Sequence, residues 1–470
     1  MSILDTETNG TSASFPKSLI FDIGITSIDF GQRSKGVHVA LEKLASDYCS
    51  LDDLAEMVIE IDGEAGAIGF QMLMRRLSSA GFLELSYFHK DTVLFKVTPS
   101  AYKEINQLKD ISLDEQMSCS TFMTMFFEDF SCKIDSPEAL CTINIVDYNL
   151  LEFIFRCAES SSSFTLKEVA AHIPYVNLTQ DEVLEIAKSL ASFRVFVATQ
   201  IQESQPRVWW TRPDIQFHHQ SRMGYHNRGF GGTYRFVGEL DPLPATRGET
   251  ELTVLFDGID ENSILRNDMS LYEAMETRKS VRRHFDEVPI SKDQLGELLY
   301  RTMRIRRVFE GDKDTLLDRP EPSGGSINAV DAYCAIRLCS GIDSGLYRYD
   351  GLRHGLDFIN SSDKDIHRLM TGVPLDLDST QVPQVMIILA ARFGRVMWKY
   401  ESMAYALLLK DLGVILQSLY LVATSMGLAG CAQGGGDSLL FSNLIGCDDL
   451  VESSIGEFAL GSRYPKEVSK

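Results

Sequence analysis

The sequence predicts an α+β protein of several domains, and three observations carry that reading. The first 200 residues read as helix, helix, helix, hairpin, and the same order recurs with a strand after its third helix. Residues 206–265 form a stretch rich in aromatics, Gly, Arg and His. From 266 onward helices alternate with short apolar strands and with loops rich in glycine or cations. A chain of 470 residues exceeds one hydrophobic core, so two or three domains are expected. With 44% apolar and 24% charged residues, it has the composition of an ordinary globular protein.

Residues 1–16 are polar and read as a disordered leader, without the basic and apolar regions of a signal peptide. The first repeat, 17–105, then runs in order. Val39–Ala45 is periodic, and Ser50-Leu51-Asp52-Asp53 resembles a capping box ahead of Leu54–Ile59. Ala65–Ser79 has helical spacing and Gly81 stops it. Phe82–Tyr87 and Thr92–Val97 alternate around His89-Lys90-Asp91 as a hairpin. The second repeat, 106–205, places helices at Tyr148–Cys157, from Phe164, and over Thr179–Phe193, before a strand at Val195–Ala198. The spacing Leu51 to Leu77 nearly matches Leu166 to Leu190, which marks two diverged copies of a winged-helix-like unit.

Winged helices often bind DNA, and charge argues against that here. Residues 1–200 hold 15 Lys+Arg against 29 Asp+Glu, and the whole chain carries a formal charge of −21. Counterion release therefore has little to act on, and no nucleic-acid partner is expected. A peptide-docking surface fits better, because a wing strand accepts an added strand.

Residues 206–265 read as a linker wrapping onto the last domain, 266–470. There, Asp268–Glu276 and Lys292–Met303 are helical and Ala332–Cys339 is a strand. Leu346–Tyr349 and Gly355–Ile359 pair around Asp350-Gly351, and Gln384–Phe393 is an apolar strand. A long apolar helix is read over 398–427; Lys410, Asp411, Gln417 and Ser418 interrupt it, so no membrane span is expected. Nine scattered cysteines without a CxxC or a Cys/His cluster exclude a zinc site and suit a reducing, cytoplasmic setting.

Three segments of this last domain carry chemistry. Arg278-Lys279-Ser280-Val281-Arg282 ends a helix, and its cations and hydroxyl suit a phosphate. Pro322-Ser323-Gly324-Gly325-Ser326 is a loop whose glycines let backbone approach a flat ring. Gly427–Asp437 is denser in glycine than a helix end requires, and Leu460-Gly461-Ser462-Arg463 follows. Trp398-Lys399-Tyr400-Glu401 sets an amine, a phenol and a carboxylate at the head of the long helix.

In this order the segments resemble the FMN-dependent nitroreductase fold, and more narrowly the SagB/McbC-type azoline dehydrogenases of ribosomal peptide biosynthesis, including cyanobactin thiazoline oxidases. Trp210, Asp214, Phe217-His218, Ser221-Arg222, Gly231-Gly232-Thr233-Tyr234 and Glu297–Arg301 are similar to the narrower group. The resemblance covers about 205–465 and is weaker over 38–200, where it implies winged-helix, leader-peptide-clamp domains. It implies an FMN site with Arg278, Lys279, Ser280 and Arg282 on the phosphate and ribityl chain. Pro322, Ser323, Gly324 and Ser326 would lie along the ring, Gly434 and Gly435 on its other edge, and Ser462 and Arg463 at the phosphate. Lys399 and Tyr400 take the catalytic positions. Asn328 departs from the pattern, where a His is usual, and His284-Phe285 fits only with a one-residue shift.

The implied reaction turns a thiazoline or oxazoline into its aromatic azole by removing a proton and a hydride. A phenol, with an ordinary pKa of about 10, needs a neighbouring cation to serve as base. Consecutive helical residues point about 100° apart, so Tyr400 is expected as the base with Lys399 in support. A non-helical backbone at 397–400 would instead let the two converge. Glu401 reads as a helix N-terminal carboxylate, Trp209, Trp210 and Trp398 as packing residues, and His218 and His219 as core or interface histidines. The resemblance also implies a homodimer, a heterocyclised peptide as substrate and dioxygen as oxidant. A nitro or quinone reductase driven by a nicotinamide cofactor, and a flavin-sensing winged-helix regulator, are the alternatives.

Overall fold

The computed structural model describes residues 33–465 except 90–91, 102, 106–109, 129, 161–162, 174, 176–177, 249–251 and 372–380, with the backbone of short strands at 2–3, 20–22 and 27–29. The rest of the expected leader and the turn at Lys90-Asp91 lie outside the described residues. Packing divides the chain into two compact units, Met1–Gly229 and Phe230–Lys470.

In the first unit, helices Lys35–Ser46, Leu51–Asp62 and Glu64–Ser79 enclose a small core of Leu41, Leu54, Val58, Phe70 and Leu77. Ser50 caps the second helix by accepting from Asp53 N at 3.0 Å. Gly81, at φ +72°, ends the third: a Cβ there would stand 2.3 Å from Ala101 O. The hairpin Leu85–His89 and Thr92–Pro99 follows as expected. It continues into three strands that the sequence reading passed over, giving an antiparallel sheet in the order Leu85–His89, Thr92–Pro99, Cys141–Ile145, Ser131–Ser136, Thr124–Glu128. Residues on the two sides of 105/106 therefore share one sheet and one core.

The second set of helices is Asn149–Ser160, Leu166–His172 and Gln180–Ser192. The last two carry full capping boxes, Thr165 with Glu168 and Thr179 with Glu182. Strand Phe196–Ala198 pairs with Met117–Cys119. Within the expected linker, Arg212–Gln220 is a helix of the first unit, and residues from 230 on belong to the second. Trp209 and Trp210 are exposed (71% and 41%), which corrects their expected packing role.

The second unit is built on one antiparallel sheet of seven strands. Their order is Val254–Leu255, Gly355–Asn360, Gly345–Asp350, Val330–Ile336, Val385–Arg392, Glu452–Gly461, Ala429–Gln433. Helices Lys292–Met303 and Ala404–Ser425 cover one face through Leu298, Leu408, Ile415, Leu419 and Phe458. Asp363–Thr371 and Ser438–Ile445 cover the other, around Tyr333, Ile366, Ile388 and Phe441. Ala404–Ser425 is apolar and long enough to cross a membrane by length and composition, but here Leu408, Ile415 and Leu419 pack into the core on the sheet. The expected helix over 398–427 is corrected. A short helix, Phe393–Met397, ends; 398–403 is irregular; the long helix begins at Ala404.

Candidate active site

The break at 398–403 has an identifiable cause. Gly231–Tyr234 runs beside it and takes its backbone groups: Glu401 N donates to Gly231 O (2.9 Å), Gly231 N to Glu401 O (3.3 Å) and Tyr234 N to Lys399 O (3.1 Å). The Trp398 ring, buried as a packing residue, anchors the start through Nε1 to Leu240 O at 2.7 Å. Ser402 sits at φ +58°, a conformation no helix contains. Freed from helical geometry, Lys399 and Tyr400 converge on Gly325. A Cβ built on Gly325 would stand 2.6 Å from Tyr400 Oη and 3.0 Å from Lys399 Nζ. Tyr234 adds an aromatic face, with Lys399 Nζ 5.5 Å and Lys313 Nζ 4.3 Å from its ring centroid. Glu401 is not a helix N-terminal carboxylate: it accepts from Thr233 Oγ1 at 3.0 Å and lies 3.9 Å from Arg235.

The loop under this pair is a tight turn with Gly325 at φ +63° and Ser326 at +56°. Its own residues hold it: Asn328 N donates to Ser323 Oγ (2.9 Å), and Asn328 Nδ2 donates to Leu317 O (2.8 Å). Gly324 N donates to the carboxylate of Asp411, at 3.1 and 3.3 Å. Asp411 is buried in the long helix, and burial pushes its carboxyl above the usual range against the bond from Gly324. Pro322, Gly325 and Ser326 remain exposed.

The cationic segment forms a second group. Arg278 caps the helix Leu271–Thr277, and Lys279, Ser280 and Arg282 are exposed beyond it. Tyr420 of the long helix gathers this group: its hydroxyl lies 2.9 Å from Ser280 Oγ and accepts from Ala432 N at 2.8 Å. The Arg278 guanidinium lies 5.2 Å from its ring centroid. Val281 N donates to Gly430 O at 3.0 Å, and Arg463 Nε donates to Leu428 O at 2.8 Å. Ser462 faces inward, where its hydroxyl donates to Phe285 O (2.9 Å) and its N–H to Gln384 Oε1 (3.0 Å). Beside it the fully buried His284 accepts from Gln384 N, and burial pushes its imidazole down to about 4.

Residues 275–462 match the profile of the nitroreductase family. The C-terminal region carries a nitroreductase-family domain. A Methanocaldococcus jannaschii protein assigned as a nitroreductase is 23% identical over 167 residues, which is 36% of this chain and 79% of the relative. Among solved structures, a Ralstonia eutropha protein assigned as a nitroreductase is similar, with a TM-score of 0.37 and 24% identity over 48% of this chain and 95% of its own. A chain of the Escherichia coli microcin synthetase McbBCD complex, solved with truncated pro-MccB17 bound, is also similar. Its TM-score is 0.35 and its identity 17%, over 57% of this chain and 97% of its own.

The family is one of flavin oxidoreductases, and the nitroreductase domain has features that fit a flavin mononucleotide. Apart from its chain neighbours, no described atom lies within 4 Å of where a Cβ on Gly434 would stand, so the loop is open at that position, whereas the Glu457 carboxylate closes it at Gly436. Exposed Lys279, Ser280 and Arg282 supply cations and a hydroxyl for a phosphate. Asp411 and Tyr420, nine residues and about 14 Å apart along one helix, hold the Gly324 turn and the cationic segment respectively. Sequence reasoning missed three residues of this arrangement. Asp411 left a signal, a lone carboxylate inside an apolar run; Tyr234 left a weaker one, within a noted Gly-Gly-Thr-Tyr motif; Tyr420 left none.

Proposed function

We propose that this protein is an FMN-dependent oxidase that aromatises azolines, thiazoline to thiazole or oxazoline to oxazole, in a ribosomally made, heterocyclised peptide. One observation carries the reading: Lys399 Nζ and Tyr400 Oη meet at the open turn of Gly325, so an amine and a phenol address one point. An oxidation that removes a proton with a hydride needs such a base, whereas a reductase supplied with hydride by a nicotinamide does not. Bound FMN would supply the hydride acceptor, and dioxygen its reoxidant. The residues to hold it are Arg278, Lys279, Ser280, Arg282 and Arg463 at the phosphate, with the Pro322–Ser326 turn and Gly434–Gly435 beside the ring. Ser462 would act from behind, through Phe285 and Gln384.

In this reading Tyr400 acts as phenolate, stabilised by the Lys399 ammonium beside it, and becomes the neutral phenol as it takes the substrate proton. Tyr234, between Lys399 and Lys313, keeps both ammonium groups against an aromatic face. The exposed apolar residues Leu271, Tyr272 and Met275, next to Arg278, support a homodimer, with the cationic group of one copy serving the Lys-Tyr group of the other. The winged-helix-like first unit is the proposed peptide clamp, and the enzyme is proposed to be cytoplasmic.

The test is incubation of the flavin-loaded protein with a thiazoline-containing peptide under air, read by mass spectrometry as loss of two hydrogens. Tyr400→Phe is expected to slow turnover by roughly 10²–10⁴-fold with flavin still bound. Absence of the mass loss, together with rapid bleaching of the flavin by NADH and turnover of a quinone, overturns this reading in favour of the reductase.

A further inference from the structure

Ala429–Gln433 is the last strand of the seven-stranded sheet, so its outer backbone groups have no strand to pair with. The segment after helix Leu271–Thr277 takes one of them: Val281 N donates to Gly430 O at 3.0 Å. Two residues on, Ala432 N points to the same edge and finds a side chain instead, the Tyr420 hydroxyl at 2.8 Å. Tyr420 is set by its ring, which packs edge-on against the fully buried Phe458 with centroids 5.1 Å apart. Its oxygen is therefore a fixed point, and Ser280 Oγ lies 2.9 Å from it.

The direction of these hydrogen bonds follows from what each group can do. A backbone N–H only donates, so the Tyr420 oxygen accepts from Ala432. The acceptor that its own hydrogen meets among the described residues is Ser280 Oγ. A phenol is a stronger donor than an aliphatic hydroxyl, and donation the other way would leave the phenol hydrogen unspent. Ser280 Oγ thus accepts, and its own hydrogen has no acceptor among the described residues. Ser280 is exposed, and it follows directly on Arg278 and Lys279, neither of which has a carboxylate partner among the described residues.

A chain of donors, from the Ala432 amide through the Tyr420 hydroxyl to the Ser280 hydroxyl, therefore ends in an unspent hydrogen beside two unpaired cations. Each link polarises the next, which strengthens the last donor toward an anion. We propose that Tyr420 is a positioning residue for the cofactor phosphate: it takes the Ala432 amide, donates to Ser280, and so holds the Ser280 hydroxyl as a donor to a phosphate oxygen. The proposal rests on the flavin reading above and adds to it a residue that acts through Ser280.

The test is equilibrium dialysis of the flavin-stripped, full-length protein against FMN, carried out as a double-mutant cycle. Ser280→Ala removes a hydrogen bond to a charged group and should weaken FMN binding about tenfold or more. Because Ser280 is exposed, this variant does not threaten folding. Tyr420→Phe keeps the ring on Phe458 and should weaken binding about fivefold, with the circular dichroism spectrum unchanged. In the Ser280→Ala background, Tyr420→Phe should change binding by less than about twofold, since the two residues act as one unit. A tyrosine that merely held the loop would instead multiply its loss onto that of Ser280→Ala. That result, or binding by either single variant equal to the wild type, overturns the proposal. A wild type that binds no FMN removes the proposal together with the flavin reading. The expected cycle in a protein without azoline turnover supports the proposal and removes only the proposed reaction.

Discussion

Gly325 shows how much one missing Cβ allows. Its left-handed backbone, φ +63°, and the 2.6 Å approach of Tyr400 Oη exclude any side chain. Gly325→Ala should displace the phenol and the Lys399 amine together. Because a displacement near 1 Å costs on the order of a hundredfold in rate, turnover should fall about that much. Stability should drop by only about 1–3 kcal/mol, the strain of a left-handed alanine. Azoline turnover together with thermal unfolding checks this; loss of folding without a separate loss of activity would contradict it. Lys399 and Tyr400 were legible as residue types, but their convergence was not. It depends on a backbone break imposed by a segment more than 160 residues away in sequence.

At the scale of the element, the long helix does more than cover the sheet. Asp411 reaches out of it to bond Gly324 N, and Tyr420 reaches out to Ser280 and Ala432, so one rigid rod sets the spacing of two loops. Asp411 needs only to accept a hydrogen bond in this role, which Asn does equally well. Asp411→Asn should therefore keep turnover within about threefold, while Asp411→Leu leaves Gly324 N unpaired at a cost of about 1–3 kcal/mol and loosens the turn. A kcat loss in Asp411→Leu that Asp411→Asn restores, at unchanged flavin content, is the expected pattern. If both variants lose activity equally, the carboxylate charge matters and this account fails. Helix ends were well foretold where caps are local, as at Ser50, Thr165 and Thr179. The strands between 117 and 145 were not, because their alternation rests on Cys, Ser and Thr as much as on large apolar residues.

For the whole molecule, two buried groups set opposing pH dependences. His284 is held neutral at about 4, below its ordinary 6.5, so the folded state binds fewer protons and stability falls as pH drops from about 6.5 to 4. Glu321 is buried beside Arg319 at 3.7 Å, with both oxygens lacking a hydrogen bond, and burial raises it to about 7. Its contribution is full below its ordinary 4.5 and is lost as pH rises through 7. Each is worth about 3 kcal/mol by its shift. Glu321→Gln should match the wild type near pH 4 and be more stable near pH 8, by up to about that amount, in denaturant titrations. Equal stability at both pH values would show that Glu321 is already ionised in the fold.

The sequence by itself determined the α+β class, the order of the helices, the acidic charge that opposes DNA binding, and the three loops and Lys-Tyr pair of the candidate site. These follow from periodicity, local caps and residue chemistry, which act over a few residues. Tertiary structure decided where the long helix begins, that 92–99 and 124–145 share a sheet, and that Asp411 and Tyr420 hold the site's loops. It also decided that Ser462 turns inward, toward Phe285 and Gln384. Each depends on which distant segment competes for the same backbone groups or buries the same carboxylate, and that competition is settled only when the chain has packed.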